Sequence, residues 1–272
     1  MTTLDSSTDA YPTVQGLAVA LADGVLSITM NRPESLNSLT ETMLYGIADA
    51  VERAADDDRV RVVRLGGAGR GFSSGAGISE EDQKSGGAGS PTRIIDEANR
   101  AVRALATLPK PAVAVVHGPA AGVATSLAFG CDVVLASEKA FFMLAFTKIG
   151  LMPDGGSSAL VAAAVGRIRA MRMALLAERI PAREALDWGL VTAVYPADEF
   201  DAQVDDVIAK LVNGPAVAFA KTKEAVNAAT LTELERAFER EKQGQSVLIR
   251  SHDFIEGTLA FQQRRSPDFT DR

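Results

Sequence analysis

One cysteine, two histidines, one tryptophan and 6% aromatic residues in a chain of 272 mark out what this sequence has little of. A single thiol, Cys131, excludes an intrachain disulfide and fits a reducing compartment. No partner at metal or redox spacing accompanies Cys131 or Trp188, so both read as buried packing residues, and no metal site is expected. Basic charge is also short: 28 Lys and Arg against 35 Asp and Glu give a net charge of −7, which argues against a general polyanion binder such as a nucleic-acid protein. No apolar run reaches the roughly 20 residues of a membrane span. The opening MTTLDSSTDAYPT has neither the basic region nor the apolar stretch of a secretion signal. These absences lead to the expectation of a cytoplasmic protein with no membrane partner.

What is present is an ordinary globular balance, 47% apolar and 23% charged, in a chain long enough to bury a sizeable core. VQGLAVAL and VLSITM read as a hairpin around Ala22-Asp23-Gly24. Thr40 closes the loop NRPESLNSLT and is placed to cap a helix running to about Arg53. VRVVRL is a short strand, and a helix over 92–107 ends before Leu108-Pro109-Lys110-Pro111. AVAVVHG is then a buried strand, AAGVATSLAFG a helix of small residues and CDVVLAS a further strand. Strand, crossover, strand is the pattern of an α/β fold with largely parallel sheets. KSGGAGSP, at 84–91, reads as a surface loop. From about 157 the chain is mostly helical, with one strand near 192–196. Residues 198–262 form a helical tail interrupted at Asn213-Gly214-Pro215.

The loop GRGFSSGAGIS, residues 69–79, contains a G-x-S-x-G match centred on Ser73. A nucleophile elbow needs a strand running straight into the serine and a helix leaving it. Five residues separate Leu65 from Gly71, and Ser74-Gly75-Ala76-Gly77 is too rich in glycine to start a firm helix. A triad would also have to use His117, at the end of a buried strand, or His252, in the polar tail. A loop of small residues serves instead in one of two ways. Its backbone N–H groups can approach a ligand and hold an oxygen that becomes negative, with a second donor from the free first amides of AAGVATSLAFG. Alternatively its glycines simply allow close helix–strand packing. Asp154, in KIGLMPDGGSS, reads from the residues alone as a helix N-cap.

NRPESLNSLT, GRGFSSGAGIS, LPKPAVAVVHGPAAGVATSLAFGCDVVLAS, KIGLMPDGGSS and ALDWGLVTAV, in this order, resemble the enoyl-CoA hydratase/isomerase (crotonase) superfamily from about residue 14 to 270. Within it, GAGRGF, LPKP, KIGLMPDGGSS and RRSPDFT are most similar to the PaaG-like phenylacetate-pathway isomerases. The resemblance implies a crotonase-like spiral of repeated ββα units over 1–197 and a C-terminal helical trimerisation region over 198–272. It implies a homotrimer or dimer of trimers, and an acyl-CoA thioester substrate with coenzyme A as part of that substrate and no separate cofactor. It assigns the oxyanion amides to Ser73, after Phe72, the serine hydroxyl then being dispensable, and to Val123, after Gly122, with Gly75 and Gly122 among the substrate-binding positions. The two glutamates of authentic hydratases fall at Ser126 and Phe146, neither of which transfers a proton as a carboxylate does. Asp154 matches the acid–base position of the isomerases, while Gly77 stands where they carry aspartate. Glu34, Leu36 and Phe72 are implied along the coenzyme A, with Phe261 and Arg264 of the tail.

The expected activity is therefore isomerisation: Asp154 moves a proton between carbons of an acyl-CoA, shifting a double bond from the 3,4 to the 2,3 position or rearranging 1,2-epoxyphenylacetyl-CoA. The alternatives are a hydratase or hydrolase in which another group activates water, and an acyl-CoA-binding homologue without catalysis. Glu80 and Glu81 read as surface charge near the loop. Phe141, Phe142, Met143 and Phe146 form an apolar stretch that lines either an acyl pocket or the core.

Overall fold

The structure is a computed structural model that describes residue 11, residues 14–78 and residues 92–271. The loop expected at 84–91 and the carboxylates Glu80 and Glu81 lie outside the described residues.

β1 (Leu17–Ala22) and β2 (Val25–Met30) form the expected hairpin. Its two-residue turn places Asp23 at φ 49° and Gly24 at φ 81°, the left-handed pair that an Asp-Gly turn supplies. Thr40 caps α1 (Glu41–Asp56) by accepting from the Met43 amide at 3.2 Å. β3 (Val62–Gly67), α2 (Arg93–Thr107), β4 (Ala112–Val116), β5 (Pro119–Ala121), α3 (Val123–Phe129), β6 (Val133–Ser137) and β7 (Phe141–Met143) follow. After them come α4 (Ser157–Leu176), β8 (Ile180–Pro181), α5 (Ala182–Trp188) and β9 (Ala193–Tyr195). The tail is α6 (Phe200–Val212), α7 (Ala216–Thr230), α8 (Leu234–Leu248) and α9 (His252–Gln262).

Six strands form one sheet in the order β1-β2-β3-β4-β6-β9, parallel except for the hairpin. β4 lies in its interior, and every one of its residues is buried. Ala112, Ala114 and Val116 face the main core with α1, α2 and α3, while Val113 and Val115 join Val62 and Leu135 beneath Phe200, Val204 and Ile208 of α6. A strand covered on both faces cannot alternate polar and apolar, which is why AVAVV is a continuous apolar run. Each large side chain sealed in this way contributes about 1.5–3 kcal/mol. The first helix of the tail, α6, thus seals the outer face of the sheet.

A second sheet, β5-β7-β8, has strands of two or three residues. Segments so short carry no periodicity, and the sequence reading gives a strand at none of them. It does give one interruption of the tail, at 213–215; the structure adds breaks at 231–233 and 249–251. Phe142 is fully buried and stacks on Phe129 with ring centroids 5.3 Å apart, so it belongs to the core. Cys131 is a buried thiol whose pKa burial pushes up. Trp188 is half-buried rather than buried, with the guanidinium groups of Arg169 and Arg172 5.2 and 5.1 Å from its ring.

Candidate active site

β3 ends at Gly67, and the chain enters the glycine loop. Asn37 organises it from below. Fully buried and at φ 55°, Asn37 donates through Nδ2 to the carbonyls of Ala68 (2.8 Å), Gly71 (2.9 Å) and Phe72 (3.2 Å), and its Oδ1 accepts from the Arg32 amide at 2.9 Å. Asparagine tolerates the left-handed backbone there and satisfies carbonyls that a tight loop leaves without partners. In the sequence the only mark of Asn37 is its place at the end of NRPESLN, a loop that precedes the glycine run.

Ser73 is not the donor that the resemblance implies. Its amide donates to Pro119 O at 3.0 Å, and its hydroxyl, fully buried, donates to Asn37 O at 2.7 Å while accepting from the Gly75 amide at 3.1 Å. The hydroxyl is thus a tie that shapes the loop, neither dispensable nor poised as a nucleophile. His117 is placed on Gly69 O at 2.9 Å and His252 beside Thr270, so no triad forms around Ser73.

An amide of this loop without a protein acceptor lies three residues further on, at Ala76. Leu39 pairs with the backbone on both sides of Ala76, donating to Gly75 O at 2.8 Å and accepting from the Gly77 amide at 3.0 Å. That pattern leaves the Ala76 amide without a protein acceptor among the described residues. Val123, the first residue of α3, is in the same condition, as helix geometry requires of the first amides. The two glycines preceding these amides are in contact. A Cβ on Gly75, which has φ 89°, would stand 2.6 Å from Ala121 O and 3.4 Å from Gly122 Cα. Only glycine permits that approach, and it brings the peptide units of 75–76 and 122–123 together.

Asp154 approaches the same helix from the turn 152–158. Its backbone carbonyl accepts from Ser126 Oγ at 2.8 Å, and a Cβ on Gly155 would meet Ser126 Cβ at 2.9 Å and Val123 Cγ2 at 3.1 Å. The turn therefore presses on the first turn of α3. The Asp154 side chain is buried and does not cap α4: Gly156 is the N-cap residue and has no side-chain cap. Capping falls to Glu241 of α8, which accepts from the amides of Gly156 (2.7 Å) and Ser158 (2.9 Å). One helical turn later Gln245 donates through Nε2 to Met152 O and to Asp154 Oδ2, both at 2.8 Å. Burial pushes the Asp154 carboxyl up to about 7; the Gln245 hydrogen bond opposes that rise and the charge of Glu241 adds to it. Burial raises the Glu241 carboxyl too, against the pull of its hydrogen bonds to Ser158 and Gly156.

The other expected positions divide. Leu36 stands at φ 55° and its carbonyl accepts from the Ser74 amide at 2.8 Å, so it borders the loop. Glu34 lies in the short 3-10 turn Pro33–Ser35 with its side chain 70% exposed. Phe72 is fully buried in the main core, so its ring is not a wall for a ligand. Phe146, in the 3-10 turn Ala145–Ile149, is likewise a member of that core. Phe261 and Arg264 are exposed at the end of α9, and Gln262 between them donates to Ile78 O at 2.9 Å, which sets that helix end against the glycine loop. Phe141 is half-buried with the Arg179 guanidinium 4.8 Å from its ring, and Met143 accepts the Gly122 amide through its carbonyl at 2.8 Å.

The amides of Ala76 and Val123, without acceptors among the described residues, and the buried Asp154 carboxyl are thus carried by segments that pack on the first turn of α3. The model of the enoyl-CoA hydratase/isomerase family matches residues 21–272, and the chain belongs to that family. It is 36% identical over 249 residues to the 1,2-epoxyphenylacetyl-CoA isomerase of Escherichia coli K12, covering 91% of this chain and 95% of that protein. It is 38% identical over 252 residues to a probable enoyl-CoA hydratase of Rhodobacter capsulatus, covering 93% and 96%. The crystal structure of an enoyl-CoA hydratase from Mycobacterium avium subsp. paratuberculosis K-10 superposes with a TM-score of 0.90 at 70% identity, covering 95% of this chain and all of that one. The α/β crotonase fold with C-terminal helices is therefore established.

Proposed function

We propose that this protein is an acyl-CoA isomerase in which Asp154 carries a proton between carbons of the acyl chain. With a 3-enoyl-CoA, the Asp154 carboxylate takes a proton from C2, and the electron pair left behind forms an enolate conjugated with the 3,4 double bond. The amides of Ala76 and Val123 hold the negative oxygen; removing one such donor costs a comparable site about 3 kcal/mol. Asp154 then returns the proton to C4, the double bond settles between C2 and C3, and no atom is gained or lost. Rearrangement of 1,2-epoxyphenylacetyl-CoA is the second substrate class, supported by the activity named for the Escherichia coli relative. Coenzyme A enters only as part of the substrate.

The observation that carries this reading is the Asp154 carboxyl, buried and poised near neutrality beside α3, with Ser126 and Phe146 where the resemblance puts a hydratase's glutamates; the other buried carboxyl of the turn, Glu241, is taken up by the amides of Gly156 and Ser158. One acid–base group suffices for a shuttle, whereas adding water to an alkene asks for a second. The probable hydratase among the relatives favours hydration as the competing reading. Self-association as a homotrimer or a dimer of trimers is supported by apolar side chains left exposed on four helices, including Ile168, Leu175, Val217, Val247 and Ile255. Among the described residues no helix is long and apolar enough to cross a membrane.

The test is proton exchange in deuterium oxide with a 3-enoyl-CoA and with crotonyl-CoA. The wild type is expected to exchange at C2 and form the 2-enoyl product, and Asp154→Asn to lose at least ~10²-fold of that rate. Equal exchange by the variant rejects the shuttle. Faster formation of 3-hydroxyacyl-CoA than of the isomer replaces it with hydration.

A further inference from the structure

Gln245 sits 91 residues from Asp154 in sequence and touches it with a single proton of its side-chain amide. The other proton of the same Nε2 goes to the Met152 carbonyl. A backbone carbonyl only accepts, so the amide cannot flip without opposing two oxygens. Its orientation is therefore imposed by the backbone and not by the charge on Asp154. The cost is visible: Gln245 Oε1 is buried and has no hydrogen-bond donor among the described residues. Buried polar atoms without partners are rare, and this one follows from committing Nε2 to two acceptors at once.

The consequence falls on the carboxyl group. Oδ2 faces an N–H that cannot turn away, so it accommodates a lone pair and excludes a proton. Oδ1 accepts from no protein donor among the described residues, yet it does not count with Gln245 Oε1 among the sealed, unpartnered oxygens. We propose that Gln245 is a positioning residue that divides the two oxygens of Asp154: Oδ2 is held as a fixed acceptor, and Oδ1 alone takes and returns the proton. This rests on the shuttle reading above and adds the residue that aims it. A carboxyl free to rotate would present either oxygen to the substrate. One pinned through Oδ2 delivers the proton along a single direction.

The same contact governs when the carboxyl ionises. An N–H aimed at Oδ2 favours the carboxylate, and the charge of Glu241, one turn earlier on α8, disfavours it. Ser126 on α3 and Ser157 at the start of α4, which touch the turn, carry no charge. Loss of the Gln245 donor leaves burial and Glu241 acting together.

Gln245→Met keeps length and volume while removing the donor. The pH profile of kcat for exchange is expected to rise through about 7 in the wild type. In Gln245→Met the midpoint moves up by about one unit, the value of a hydrogen bond to a charged group. At pH 7 kcat then falls several-fold, partly recovers at pH 9, and KM stays put. Should the variant fail to fold, the side-chain amide protons of Gln245 in the wild type, followed by NMR from pH 5 to 9, are expected to titrate with the same midpoint as exchange. A variant profile that superimposes on the wild type overturns the positioning role, and so do amide protons that ignore the titration. Asp154→Asn separates this from the shuttle itself: if that variant is inactive and Gln245→Met is unchanged, only the positioning inference falls.

Discussion

The glycine loop at 66–78 and the aspartate turn at 152–158 meet on the first turn of α3, yet they are held there by opposite means. Up to Gly77 the loop is tied by uncharged groups from the same half of the chain, among them Asn37, the Ser73 hydroxyl and the Leu39 backbone, while Ile78 at its end takes a bond from Gln262 of the tail. The turn is tied by Glu241 and Gln245, which reach it from more than 80 residues away, and it encloses two buried carboxyl groups. In the proposed reaction each means suits its task. Amides that receive a transient negative charge must be rigid and need no tuning. A carboxylate that must pick up a proton at neutral pH has to be made uncomfortable when ionised, and burial does that at the expense of the fold.

The difference predicts where stability and activity conflict, and Asp154→Asn gives the largest effect. The folded-state pKa of Asp154 is raised to about 7, above the ordinary carboxylate value of about 3.9. A raised carboxyl pKa means that the protonated form is the one the fold favours. Its penalty is absent below about pH 4, grows as pH rises toward 7, and is constant above that. The asparagine side chain would never ionise and would keep an oxygen for Gln245. Unfolding by urea at fixed protein concentration is expected to find the variant more stable at pH 8 by a few kcal/mol, on the order of 4 at most. The gap closes toward pH 4. A variant that is less stable at pH 8 would show that the turn is not under electrostatic strain.

The loop should give the converse, an activity loss with little change in stability profile across pH. Gly75→Ala places a Cβ 2.6 Å from Ala121 O at a backbone with φ 89°. The loops must part, and the Ala76 amide moves with them. Turnover is expected to fall by about 10²-fold, the effect of losing one oxyanion donor. Ser74→Ala is the control, since that exposed hydroxyl reaches only Ser35 O. If both variants turn over at the wild-type rate, the amide of Ala76 is not part of the machinery.

The same contrast explains what the sequence made legible. The hairpin, the Thr40 cap, the buried β4 and the α/β order were readable because propensity, turn chemistry and apolar runs are local signals. The region of the oxyanion loop was readable for the same reason, but its donor was not. Ser73 and Ala76 are both small residues of one loop, and which amide is free depends on where Pro119 and Leu39 pair. Phe72, which the resemblance puts along the coenzyme A, lies fully buried in the core, and an aromatic beside a glycine loop looks alike in sequence whether it faces in or out. Asp154 read locally as a cap, since Pro-Asp-Gly-Gly-Ser is a helix entry. Only Glu241, contributed by a helix absent from any local window, takes over the capping and releases Asp154 for another task. Nothing in EREKQGQS marks Glu241 or Gln245 apart from their i, i+4 spacing, which every charged surface helix shares.

Ser126 joins the two regions, and its variant carries the smallest expected effect. Its hydroxyl donates to the Asp154 carbonyl from the position where the resemblance puts a hydratase's glutamate. Were this serine a proton carrier, Ser126→Ala would be as damaging as Asp154→Asn. As a backbone tie it is one of several, because the close contacts of Gly155 with Ser126 Cβ and with Val123 survive the loss of the oxygen. Alanine leaves the Asp154 carbonyl with the longer bond from the Ser157 amide, at 3.3 Å, a cost of no more than about 1 kcal/mol. Exchange is expected to fall no more than about fivefold, with the pH midpoint unmoved because the tie is to the main chain and not to the carboxyl group. A shift of that midpoint in Ser126→Ala would mean that α3 tunes the aspartate directly, and the division of labour between a neutral loop and a charged turn would not hold.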